Sequence, residues 1–99
     1  MPKNKELALK ELRRRWTQMF SSLHRGDDVP PSLRLRTEGM MELSVVLSLA
    51  SEEELRDALE QCYRDCSGDA LDGDWRELFP FPQIPGFGRR APVYPSTRD

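Results

Sequence analysis

Apolar residues at Leu9, Leu12, Trp16, Met19 and Leu23 recur at steps of 3, 4, 3 and 4, which sets all five along one stripe of an α-helix. Leu7 and Phe20 are expected to widen that stripe. Asn4 is placed to cap the first free backbone N–H groups, and Gly26 can turn left-handed to stop the helix. The pattern therefore predicts a first helix from Asn4 to about His24. Glu6 with Lys10 and Glu11 with Arg15 stand four apart in the favourable order.

Ser51-Glu52-Glu53-Glu54 is a capping box, because Ser51 and Glu54 can each satisfy the other's backbone N–H. Behind it, Leu55, Ala58, Leu59, Cys62, Tyr63 and Cys66 share one helical face as far as the Gly68 stop.

Between these helices the pattern is ambiguous. Leu33 and Leu35, then Leu43, Val45, Leu47 and Leu49, alternate with other residues as in a strand, with Glu38-Gly39 at the turn of a hairpin. Leu33, Thr37, Met40, Met41, Ser44 and Leu47 instead fit a helix. Met-Met-Glu-Leu favours helix and Glu-Gly is a poor hairpin pair, so the helix is preferred. It is expected to begin near Pro30, with Asp27 or Asp28 as cap. A glycine inside that helix costs about 1 kcal/mol against alanine. Close approach of another helix, with Trp16 as neighbour, would account for Gly39.

The resulting fold class is mostly α: a small three-helix domain over residues 1–79, followed by an extended tail rich in proline and aromatic residues over 80–99. The alternative is an α+β fold with a hairpin at 33–49. Five of the eight prolines, Pro80, Pro82, Pro85, Pro92 and Pro95, stiffen the tail. Just ahead of it, Asp74 is expected to cap a brief helical turn that begins at Trp75.

At 99 residues and 37% hydrophobic, the core is small for an isolated domain, and dimerisation is an expected remedy. No apolar run is long enough for a membrane span, and the opening residues lack the uncharged stretch of a signal peptide. A cytoplasmic protein of bacterial style is expected. Charge is asymmetric. Lys and Arg outnumber Asp and Glu nine to four up to Arg36, and acids outnumber Arg twelve to three from Thr37 to Phe79. Arg13, Arg14 and Arg15, with Arg34 and Arg36, are the candidate nucleic-acid contacts this allows. The three consecutive arginines point about 100° apart on a helix and do not form one patch.

Candidate chemistry is sparse. Cys62 and Cys66 share a helical face, but a structural zinc site needs four ligands and His24 has no recognised spacing to them. Two reduced, buried thiols are expected, with no metal and no cofactor. Glu38 and Glu42 read as a solvated stripe rather than an acid–base pair. No nucleophile triad or phosphate loop is readable, so no enzymatic activity is expected.

The expected function is that of a small interaction module: a homodimeric regulator, adaptor or inhibitor of a partner protein such as a transcription factor, or an assembly factor. Met40, Met41, Val45 and Leu49 would form the partner-binding face, beside Trp75, Phe79, Phe81 and Phe87. A nucleic-acid-associated regulator is the alternative. Over Gly39-Met40-Met41-Glu42-Leu43 the chain resembles the Gly-Met-x-Glu-Leu core of small helical assembly factors that assist flavin attachment to a dehydrogenase subunit. Glu38 stands where that family has a basic residue and Ser44 where it has aspartate, so its function is not carried to this chain.

Overall fold

A computed structural model describes residues 2–86. Three helices, α1 (Pro2–His24), α2 (Pro31–Val46) and α3 (Glu52–Ser67), are followed by a single turn, α4 (Trp75–Leu78). No strand occurs among the described residues, so α2 takes the stretch over which helix and hairpin competed.

The helix ends follow local chemistry. α1 begins at Pro2, two residues before the expected cap, so Asn4 lies inside the helix. Proline suits a first turn, where its missing N–H is no loss. At the other end Gly26 takes φ +85°. Its N–H donates to the Leu23 carbonyl at 3.0 Å and the Asp27 N–H to that of Ser22 at 2.8 Å, which closes the last turn. α2 starts behind Pro30 without a side-chain cap, so neither Asp27 nor Asp28 caps it. α2 ends in the same double bond as α1, from Ser48 to Val45 and from Leu49 to Ser44, both at 2.9 Å. Here the left-handed position is held by Ser48, at φ 60°. The capping box of α3 is fully formed: Glu54 N–H to Ser51 Oγ at 3.0 Å, and Ser51 N–H to Glu54 Oε1 at 2.9 Å. Asp74 precedes α4 but makes no capping bond.

α1 packs along α3 and, less extensively, along α2. Leu12, Trp16, Met19 and Phe20 of α1 meet Leu55, Leu59 and Cys62 of α3 and Met41 of α2 in one core. Phe20 and Tyr63 stack edge to face with centroids 5.2 Å apart. Leu7, expected on the stripe, is more than half exposed.

After α4 the chain folds back. Trp75, Ile84 and Pro85 are buried, and Phe79 and Phe81 lie partly buried against the core. The N–H of Ile84 donates to Glu38 Oε2 at 2.9 Å, tying residues 80–86 to α2.

α2 is unusual in what it turns inward. Its buried residues are Thr37, Glu38, Met41 and Ser44. Three of these four are polar, and each is satisfied. Thr37 Oγ1 donates to the Leu33 carbonyl and Ser44 Oγ to the Met40 carbonyl, both at 2.8 Å. Glu38 accepts from Arg34 at 3.1 Å and from Ile84. Bonds within the helix let hydroxyls enter an apolar contact at little cost.

Gly39 lies within α2 and faces solvent. A methyl group at its Cα would meet no atom within 4 Å, so the close approach to Trp16 expected from the sequence is not made. Gly39→Ala should therefore stabilise the isolated fold by about 1 kcal/mol. Thermal denaturation of the dilute protein checks this, and a lowered midpoint would show that Gly39 makes a contact inside the chain.

Candidate functional site

The feature of this fold with most binding potential is the outer face of α2. Inward-facing Thr37 and Met41 lie on either side of Gly39 in sequence, two positions away. At about 100° per residue, that puts Gly39 at the centre of the opposite face. Around it, Leu35 is 58% exposed, Leu43 54%, Val46 71% and, at the helix end, Leu47 58%. Single exposed leucines are ordinary, but apolar residues gathered on one helix face are not. Arg36 and Glu42 border the stripe, both exposed, and neither side chain pairs with a described residue.

The residues expected to bind a partner fall elsewhere. Met41 is 1% exposed and Trp75 4%, so both serve the core and neither is offered to a partner. Met40, Val45, Phe79 and Phe81 pack partly buried against that core. Phe87 lies outside the described residues. Val45 and Leu49 line an open groove of about 590 Å³ with Lys5, Ser48, Ala50 and the start of α3. Lys5 crosses the end of this groove to pair with Glu54 at 2.5 Å, joining α1 to the α3 N-terminus. A smaller apolar notch of about 130 Å³ lies between Leu71, Trp75, Leu78 and Pro85.

The basic residues do not gather. Glu11 accepts from Arg14 Nη2 at 2.6 Å and from Arg15 Nε at 2.9 Å. The hydrogen bond from Arg14, then that from Arg15, holds the Glu11 carboxyl down at about 2, so it stays ionised across the physiological range. Arg34 is engaged with Glu38 inside α2. Arg13 and Arg36 are exposed, on α1 and α2 respectively. Arg76 is drawn into the acidic side of α3, 2.6 Å from both Glu53 and Asp57, with its guanidinium 5.0 Å from the Trp75 ring centre.

Both cysteines are free thiols. Cys66 accepts from Ser21 Oγ at 3.6 Å, at the seam of α1 and α3. Burial pushes the Cys62 thiol above its ordinary range, because the charged form loses its water. Among the described residues no three of His, Cys, Asp and Glu converge as metal ligands. His24 ends α1 exposed to solvent. No described helix is long and apolar enough to cross a membrane.

The spacing of the outward stripe is visible in the sequence, though not which way it faces. Leu35 and Leu43 stand four residues either side of a glycine that a solitary helix would not choose.

Two outcomes follow from these placements. Glu38→Ala leaves the Ile84 N–H without its acceptor, and an orphaned buried donor costs about 1–3 kcal/mol. Hydrogen exchange should show the Ile84 amide deprotected well before those of α1, and an unchanged rate would mean the bond does not hold this segment. In mildly alkaline iodoacetamide, Cys66 should be alkylated first and Cys62 only as the fold opens. Equal labelling rates would contradict the burial of Cys62.

Compared with known proteins, the chain matches no protein-family model, no curated protein and no solved structure.

Proposed function

We propose that this chain is a small non-enzymatic interaction module, a cytoplasmic regulator that acts by holding a polypeptide against the outer face of α2. The observation that carries this reading is the apolar stripe of Leu35, Leu43 and Val46, each more than half exposed, around Gly39. A surface helix normally keeps its apolar residues on one side and its polar residues on the other. α2 turns Thr37, Glu38 and Ser44 inward and leucines outward, which is the arrangement of a helix with a second neighbour to meet. A mid-helix glycine allows that neighbour a close backbone approach. Adaptor, inhibitor and assembly-factor roles all use such a surface. Nucleic-acid binding draws less support, since Arg14 and Arg15 share Glu11 and Arg34 is committed to Glu38.

A photo-crosslinking residue at Leu43 or Val46, expressed in the native cell, should give protein adducts under illumination. The same residue at Gln61, on the exposed side of α3, is the control. Adducts confined to the α2 positions support the reading, and an absence of protein adducts from both would end it.

A further inference from the structure

We infer that Cys62 and Cys66 form a two-coordinate site for a soft monovalent metal ion of the copper(I) class, set in the seam between α1 and α3. The site is separate from the outer face of α2 and stands or falls without it.

Residues four apart on a helix lie one above the other, with Cβ atoms about 5–6 Å apart. Cys62 and Cys66 are such a pair on α3, one buried in the core and the other partly buried against it. The two thiols are close enough that charge on Cys66 acts on Cys62. Two thiolates on a linear ion lie roughly 4.5 Å apart, twice a metal–sulfur bond of about 2.3 Å. One helical turn accommodates that span. A disulfide would instead need the Cβ atoms at about 3.8 Å, which the helix does not offer. The spacing therefore suits an ion held between the sulfurs better than a bond joining them.

α1 supplies the surroundings. Arg13, Thr17 and Ser21 follow one another at four-residue steps, on one side of that helix. Ser21 Oγ donates to Cys66 Sγ at 3.6 Å, and Cys66 Sγ donates to the Thr17 carbonyl at 3.8 Å. The Thr17 side chain and the Arg13 charge both favour the Cys62 thiolate, and Asp65 opposes it. Donors of this kind orient and tune metal ligands from behind. A monovalent ion between two thiolates carries one net negative charge. Arg13 pairs with no described residue, and it is the cation placed to balance that charge.

The ligand count selects the ion. Among the described residues no third His, Cys, Asp or Glu converges here, so a tetrahedral structural zinc is not served. Soft thiolates select copper(I) among the ions that two ligands can hold. The ion enters past Cys66, the more exposed of the two. Each thiol gives its proton to solvent as its metal–sulfur bond forms, and no electron is transferred.

These are the only two cysteines in the chain, so a titration of the full chain reads this site. Titrated anaerobically with copper(I) against a chromophoric copper(I) chelator, the protein should take up one ion per chain. X-ray absorption at the copper edge should show two sulfur neighbours. The thermal midpoint should rise with the first equivalent, because the folded state holds the ion. Zinc alone should leave it unmoved. Cys62→Ser and Cys66→Ser should each keep the helical circular dichroism and lose tight uptake. Arg13→Glu should weaken the affinity by about tenfold at the same stoichiometry, and Arg13→Lys should retain it. Failure to compete with the chelator overturns the site. So does uptake that survives Cys66→Ser, or one ion shared between two chains. A midpoint that falls on addition places the ion on the unfolded chain and overturns it equally. Should Cys62→Ser fail to fold, the absorption spectrum of the unaltered protein decides, and a shell other than two sulfurs ends the inference.

Discussion

The setting of α2 turns on one buried hydrogen bond. Glu38 is 8% exposed, and its carboxylate accepts both from Arg34 in its own helix and from the Ile84 amide 46 residues later. A carboxylate that far from water must be matched by donors or it destabilises the fold. The match links the last described segment to α2. It also fixes which way α2 is rotated, since Glu38 can reach the Ile84 amide only from one side of the helix. With Glu38 turned in, Thr37, Met41 and Ser44 line the contact, and Leu35, Gly39, Leu43 and Val46 face out.

The two halves of the core differ in kind. α1 against α3 is an ordinary apolar seam of Leu12, Trp16, Met19, Leu55 and Leu59, in which burial of hydrocarbon does the stabilising. Of the apolar residues of α2 only Met41 is fully buried, with Leu33, Met40 and Val45 partly buried beside it, and the inward Thr37 and Ser44 satisfy themselves through i−4 carbonyls. Its hold on the domain is correspondingly specific rather than strong. Ion pairs such as Lys5–Glu54 and Arg76–Glu53 brace the periphery, but exposed pairs of this sort contribute little each.

This division explains how far the sequence could be read. α3 was plain from its capping box and its single apolar face, and the Leu12-Trp16-Met19 stripe of α1 was plain from its period. α2 was legible as a helix but not in its rotation. Its apolar residues lie all around the axis, so periodicity could not tell inside from outside. The inward residues Thr37, Glu38 and Ser44 look like surface residues until their partners are known. One of those partners, the Ile84 amide, lies in a stretch that reads as proline-rich tail. The same ambiguity put Met41 on the expected partner-binding face when it belongs to the core, and passed over Leu35 and Leu43. Trp75 was open to both readings, and its burial decides for packing.

A helix apolar on all sides belongs between two neighbours. Among the described residues, α1 and the 80–86 segment hold α2 from its inner side, through a contact rich in polar groups. On the other side stands a glycine whose helix penalty of about 1 kcal/mol is offset by no contact with a described residue. Chance exposure would explain a leucine or two. It does not explain leucines spaced evenly about that glycine, with Arg36 and Glu42 disposed the same way and neither paired with a described residue. The inner face of α2 explains how the helix is held, while its outer leucines and Gly39 meet nothing that does so among the described residues.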